Sequence, residues 1–177
     1  MLLGDNMQRI MDIFFKRMAS PTGTLTLIAS DNGLRAVLWD YDDTEKSSID
    51  SGIENPDHPL LLEAEKQLNE YFARKRKTFS LPLDFIGSDF QKQVWEALLT
   101  IPFGETRSYG QIARQIGNPD SVRAVGGAAN KNPIPIIAPC HRMVGANGKL
   151  VGFGGGLANK ALLLELEAPF RQTTLFE

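Results

Sequence analysis

Apolar and polar positions change period several times along this chain. Thr24 to Ala29 and Leu34 to Trp39 are short apolar-rich segments separated by Asp31-Asn32-Gly33, the pattern of two strands joined by a tight turn. Ile10 to Ala19 predicts a third strand before the Pro21-Thr22-Gly23 turn, so a small sheet opens the chain. Asp40 to His58 is acidic and loop-like. From Pro59 the period lengthens: Leu61, Leu62, Ala64, Leu68, Tyr71 and Phe72 recur near helical spacing. Arg74-Lys75-Arg76-Lys77 is expected in the last turn of that helix, where cations suit the negative end of the dipole. Leu81 to Phe85 predicts one further strand.

Ile86-Gly87-Ser88 marks a boundary, after which the pattern is helical. A helix beginning at Asp89 carries Phe90, Val94, Trp95, Leu98 and Leu99 on its apolar side, and Pro102-Phe103-Gly104 breaks the chain after it. Ser108 caps a helix running through Ile116, Gly117-Asn118-Pro119-Asp120 turns, and a second helix spans about Ser121 to Lys131. This pair fits a helix-turn-helix and an ordinary helical hairpin equally well. Its second helix is slim, with Ala124, Gly126, Gly127, Ala128 and Ala129, and two central glycines cost about 1 kcal/mol each relative to alanine. Close approach is expected there, either by a nucleic-acid groove with Arg123 projecting or by another helix. Gly145 to Lys149 reads as a turn, Gly152 to Gly156 as a flexible loop, and Leu157 to Glu167 as a last helix. The expected fold is α+β in two domains: a small sheet-plus-helix domain over 1–87, then a helical, winged-helix-like helix-turn-helix domain over 88–177.

The 177 residues are 42% apolar and 23% charged, within the range of globular proteins. No apolar run approaches the roughly 18 residues of a membrane span, and Met1-Leu2-Leu3-Gly4-Asp5 carries an acid where an export signal needs a basic start. A single cysteine agrees with a reducing cytoplasm. The net charge of −2 hides an asymmetry: residues 1–97 hold 11 Lys and Arg against 16 Asp and Glu, while residues 98–177 hold 8 against 5. Arg107, Arg114, Arg123, Lys131, Arg142 and Lys149 stand against only Glu105 and Asp120, a stretch that would draw a polyanion or simply form a solvated basic face.

The candidate chemistry lies at Pro139-Cys140-His141-Arg142. One thiol can form neither an internal disulfide nor a multi-cysteine metal site, so Cys140 is either an inert small hydrophobe or a nucleophile. His141 can accept its proton and Arg142 adds positive charge, and both are expected to favour the thiolate. The glycines fit no phosphate-binding signature, since Gly148-Lys149 is followed by Leu150. With only His58 and no cysteine in the first half, zinc is not expected there.

These residues together resemble a known family. Pro139 to Val144, preceded by Arg123-Ala124-Val125-Gly126-Gly127-Ala128 and Asn132-Pro133 and followed by Gly155-Gly156-Leu157-Ala158-Asn159-Lys160, is similar to the O6-alkylguanine-DNA alkyltransferases, or methylated-DNA-protein-cysteine methyltransferases. The likeness spans about residues 88 to 168 and includes Gly104-Glu105-Thr106-Arg107-Ser108-Tyr109-Gly110. It implies direct-reversal repair of double-stranded DNA, moving an alkyl group from O6-alkylguanine, and O4-alkylthymine, onto the protein's own cysteine once, without cofactor or metal, by a monomer.

By that resemblance Cys140 is the alkyl acceptor, and His141 removes its proton through a water. Glu167 orients the histidine in a Cys-His-Glu relay; read by itself it is an acid on a surface helix. Tyr109 donates a hydrogen bond to the departing purine and helps rotate the nucleotide phosphate, and Arg123 enters the duplex in place of the extruded base. Ala124, Gly126 and Gly127 form the groove-facing surface with them, and Asn132 is a hinge. Otherwise Tyr109 is a half-buried aromatic and Asn132 a turn former before Pro133. Phe153 stands where some relatives have tyrosine, which removes a hydroxyl from the substrate pocket. Two other functions compete: a lesion-binding protein without transfer, which in this family lacks the cysteine, and a Cys-His-Glu hydrolase, which leaves Arg123 and the slim helix without a purpose.

Overall fold

The computed structural model describes residues 12–39 and 52–169. Strands β1 (Phe14–Met18), β2 (Leu25–Ser30), β3 (Gly33–Trp39) and β4 (Ile53–Glu54) form one sheet in the order β3-β2-β1-β4. The hairpin expected from Asp31-Asn32-Gly33 is present, and β1 to β3 are antiparallel in sequence. Ile10 and Met11, and residues 40–51 of the expected acidic loop, lie outside the described residues. The rest of that loop contains β4, whose two residues pair parallel to β1. The expected strand over Leu81 to Phe85 reduces to a single bridge: Leu34 donates to Pro82 O at 2.8 Å and Asp84 donates to Leu34 O at 2.8 Å.

Helix α1 (Pro59–Phe72) covers the sheet. Proline at its first position needs no amide partner, and His58 Nδ1 accepts from Leu60 N. Leu61, Ala64, Leu68 and Tyr71 turn inward, whereas Leu62 faces solvent. The basic run is not in the last turn. Arg74 takes a left-handed φ of 60°, and the Lys75 amide closes back on Glu70 O at 2.8 Å, so the helix ends before the cations begin.

Helices α2 (Asp89–Leu98), α3 (Tyr109–Gln115) and α4 (Val122–Asn130) form the second unit, and α5 (Leu157–Glu167) closes it. Capping boxes Ser88/Gln91 and Ser108/Gln111 start α2 and α3, and the second sets Tyr109 at the first position of its helix. Trp95 Nε1 donates to Ala128 O at 2.8 Å, joining α2 to α4 inside a core with Val94, Leu98, Ile112 and Val125. Leu99, expected on the apolar face of α2, is exposed past its end. Two-residue strands β5 (Arg107–Ser108) and β6 (Met143–Val144) pair parallel. The two units share a core: Ile134, Ile136, Ile137 and Leu163 pack with Leu25, Leu27, Val37, Leu61 and Tyr71. Val37 N also donates to Pro133 O at 2.9 Å, fixing the segment that leads to Cys140 against β3.

Candidate active site and groove-facing helix

Cys140, His141 and Arg142 form one turn of 3₁₀ helix at the end of the buried segment Ile134 to Pro139. That segment carries a strained residue, since Ile136 is β-branched, fully buried and left-handed at φ 74°. Asn132 braces it from both ends: Nδ2 donates to Ala138 O at 2.7 Å, and Oδ1 accepts from Ile134 N at 3.0 Å. The Asn132 side chain also lies near enough to Cys140 to favour a negative sulfur.

Burial pushes the Cys140 thiol up to about 11, against opposing effects of the Asn132 side chain, the Lys160 charge and the nearby amides. At neutral pH the resting group is therefore a thiol, contrary to the expectation that its neighbours would make it a thiolate. Arg142 is absent from those effects because its guanidinium points elsewhere. Nε donates to Glu167 Oε1 at 2.7 Å, Nη2 to Glu167 Oε2 at 3.1 Å, and Nη1 to Ile101 O at 2.5 Å. The cation near the sulfur is instead Lys160, buried in α5, whose Nζ donates to Val151 O at 2.9 Å and lies 3.4 Å from Gly152 O.

Glu167 ends α5, where a carboxylate opposes the helix dipole, and it is only 3% exposed. Its Oε2 accepts from His141 Nε2 at 2.6 Å and from Tyr71 OH at 2.5 Å. Gly104 N lies 3.4 Å from Oε1. Burial alone would raise the carboxyl, but the hydrogen bonds from His141, Arg142 and Tyr71 outweigh it and hold it at about 2. His141 is fully buried; burial, together with the Arg142 and Lys160 charges, holds it below the usual imidazole range, although Glu167 pulls the other way. A neutral imidazole thus faces an ionised carboxylate. The proton is assigned to Nε2, facing Glu167, and leaves Nδ1 as the acceptor; Nδ1 is buried and makes no hydrogen bond in the protein.

A cavity of about 150 Å³ opens beside the sulfur, lined by Cys140, Pro135, Phe153, Gly154 and Gly155 together with Trp39 from β3. Outside it, α4 presents Arg123, Ala124 and Gly127 to solvent, with Gly126 half-buried. A Cβ at Gly127 would meet nothing within 4 Å, and one at Gly126 would make only ordinary contact with the Tyr109 ring at 3.8 Å. Packing against another helix therefore does not account for the two glycines. Tyr109 is half-buried, its OH donates to Val151 O at 3.2 Å, and burial and then the Cys140 charge raise its pKa.

Two family models match this chain: the 6-O-methylguanine DNA methyltransferase DNA binding domain over residues 89–169, and the ribonuclease-like domain of the same proteins over residues 13–85. The chain belongs to the 6-O-methylguanine DNA methyltransferase family. It is 48% identical to the methylated-DNA–protein-cysteine methyltransferase of Mycobacterium leprae, covering 88% of this chain and 92% of the relative. It is 46% identical to the enzyme of that name from Methanosarcina acetivorans, covering 88% and 98%. The structure of Mycobacterium tuberculosis OGT in complex with DNA superposes with a TM-score of 0.79 at 48% identity, over 89% of this chain and 96% of that one.

Within this family member, the structure brings the buried Cys140, His141 and Glu167 together, with the half-buried Asn132 beside Cys140 and with Tyr109 and α4 at the outer edge. Glu167 is not a surface acid, and His141 and Arg142 are not a surface pair. Sequence reasoning missed Tyr71 and Lys160. Tyr71 fits the apolar stripe of α1, so nothing in its spacing marks the hydroxyl. Lys160 sits among residues that carry the resemblance, but a cation one turn into a helix gives no sign of burial. Among the described residues no group of three or more His, Cys, Asp or Glu is placed to hold a metal, and no helix is long and apolar enough to cross a membrane.

Because the folded carboxyl titrates near 2 and an ordinary one near 4.5, Glu167 stabilises the fold fully above about pH 4.5 and loses that contribution as pH falls toward 2. Glu167→Gln should destabilise the protein most near neutrality, by a few kcal/mol, leaving His141 and Arg142 without their partner. Urea unfolding of both proteins at pH 7 and pH 3 checks this: the gap between them is expected to narrow in acid.

Proposed function

We propose that this chain is a direct-reversal DNA repair protein that transfers an alkyl group from O6-alkylguanine in double-stranded DNA to Cys140, once per molecule. The observation that carries this reading is a buried thiol beside a small cavity and within a His-Glu relay. The exposed slim helix bearing Arg123 lies at the same edge. A lesion binder without transfer would not need the thiol, and a hydrolase would not need that helix. The relatives' names and the DNA complex of one of them support the same reading. O4-alkylthymine is a second substrate in this proposal, and the protein works as a cytoplasmic monomer, where its thiol stays reduced.

The roles follow from the chemistry. His141 Nδ1 takes the thiol proton through a water, and Glu167 stabilises the imidazolium that results. Sulfur then forms a bond to the alkyl carbon as the carbon–O6 bond breaks, and Tyr109 donates to the purine as it leaves. Lys160 stabilises the transient thiolate, and Asn132 holds the strained segment that carries it. The alkylated oxygen is inaccessible in stacked DNA, so the nucleotide has to be extruded, with Arg123 taking its place. Ala124, Gly126 and Gly127 let α4 lie close in the minor groove. In the division of labour proposed, residues 88–177 bind DNA and accept the alkyl group, while residues 1–87 support that site through Tyr71 and β3. An alkyl thioether, unlike an acyl group, is not released by water, so the protein is spent.

Intact-mass spectrometry after mixing with a duplex containing O6-methylguanine tests this directly. The protein should gain one methyl group on Cys140 and stop at one equivalent, and Cys140→Ala should gain none while still binding the duplex. Repeated turnover, or methyl on another residue, would refute the proposal.

The same relay fixes the pH dependence. With the thiol near 11 and His141 held below the usual imidazole range, the transfer rate should be flat from about pH 7 to 9 and fall only in acid, as His141 gains its proton. A rate rising tenfold per pH unit across that interval would instead show a free thiolate acting without the histidine.

Arg123→Ala should impair repair of a duplex containing O6-methylguanine far more than reaction with the free base O6-methylguanine, from which nothing is extruded. Single-turnover rates on both donors check it, and equal losses would place Arg123 in support of the fold.

A further inference from the structure

The cavity beside Cys140 is not built by the second unit alone. Trp39, the last residue of β3, is buried at 7% exposure and lines the same cavity as Cys140. It meets Phe153 edge to face, with centroids 5.6 Å apart and planes at 73°. Gly155 permits that approach: a Cβ there would stand 2.8 Å from Cη2 and Cζ3 of Trp39 and 2.8 Å from Cε1 of Phe153. The Trp39 indole N–H is buried and makes no hydrogen bond in the protein, so the ring is held by packing. Its backbone is held too, because Val37, two residues earlier, donates to Pro133 O beside the segment that leads to Cys140.

We propose that Trp39 is a specificity-determining residue: with Phe153 it forms the aromatic wall that limits the size of the alkyl group Cys140 can accept. This rests on the transfer reading above. Whatever group reaches the sulfur must fit beside it in about 150 Å³ that the leaving base also enters, and the two rings are the bulkiest walls of that space. The wall is rigid because Trp39 belongs to the sheet. A methyl group passes it, and a benzyl group meets it. Discrimination of this kind works by exclusion, since a packed aromatic wall cannot yield without breaking the shared core.

The test compares single-turnover transfer from two duplexes that differ only in the lesion, O6-methylguanine or O6-benzylguanine, so that base extrusion is common to both. In Trp39→Ala the benzyl-to-methyl rate ratio should rise by about tenfold or more, and in Trp39→Leu by less. Trp39→Phe, which keeps a ring in the core, should give a smaller rise and supplies the answer if the alanine protein does not fold. An unchanged ratio, with both rates falling together, would make Trp39 a support of the fold and overturn the proposal. Failure of the unmodified protein to take a methyl group from the first duplex would instead overturn the transfer reading on which it stands.

Discussion

A carboxylate buried as deeply as Glu167 is tolerable only if donors replace the water it has lost; an unpaired charge in that position would cost several kcal/mol. The replacements come from separate parts of the chain. Tyr71 reaches it from α1, His141 and Arg142 from the 3₁₀ turn, and the Gly104 amide lies near it in the loop before β5. Each donor alone is insufficient, so the ionised group and the correct placement of these elements depend on one another. That mutual requirement positions the imidazole. It also explains why Arg142 does little for the sulfur beside it in sequence: its guanidinium matches a carboxylate in a bidentate fork, and Glu167 supplies one.

The cysteine then rests in a protected form. With burial pushing its thiol up to about 11, the thiolate is a minor form at neutral pH. If it reacts once, as proposed, the protein has reason to keep its nucleophile unreactive toward stray electrophiles. In the proposed mechanism activation requires a base at the moment of attack, the task given to a neutral His141 whose Nδ1 is unengaged. In that mechanism Lys160 and the Asn132 side chain would act after the proton has gone, because their favourable interactions are with negative sulfur. Burial raises the thiol's pKa and the polar neighbours lower the cost of passing through its anion.

Features set by short-range chemistry were legible in the sequence. The β2–β3 turn, Pro59 at the start of α1 and Ser108 as the cap of α3 are decided within a few residues, and the structure has them where they were expected. Cys140 was legible because it is the sole thiol and its neighbours are polar. Long-range partners were not. Tyr71 and Glu167 are 96 residues apart, and neither spacing nor composition shows that a tyrosine on an apolar stripe ends on a carboxylate. Glu167 itself was found through family resemblance, since an acid at the end of a helix looks like a surface residue. The basic run after α1 was misplaced because dipole matching favoured the last turn, whereas Arg74 had already left the helix. Strand β4 was invisible: two residues in an acidic loop become a strand only through the edge of β1.

The slim helix shows how the two faces of one element answer to different demands. Val125, Ala128 and Ala129 are buried, and Trp95 bonds the Ala128 carbonyl, so the inner face supplies the stability that holds α4 in place. The outer face gives some of it up, because Gly126 and Gly127 cost about 1 kcal/mol each where alanine would fit without a clash at either position. A sacrifice that no contact within the chain requires is explained by a surface that has to come close from outside. In the proposed reading, methyl groups at those positions would hold a groove wall farther from the helix axis, and Arg123 would reach less deeply into the duplex. The same substitution that made α4 more stable would therefore be expected to make it a poorer wedge.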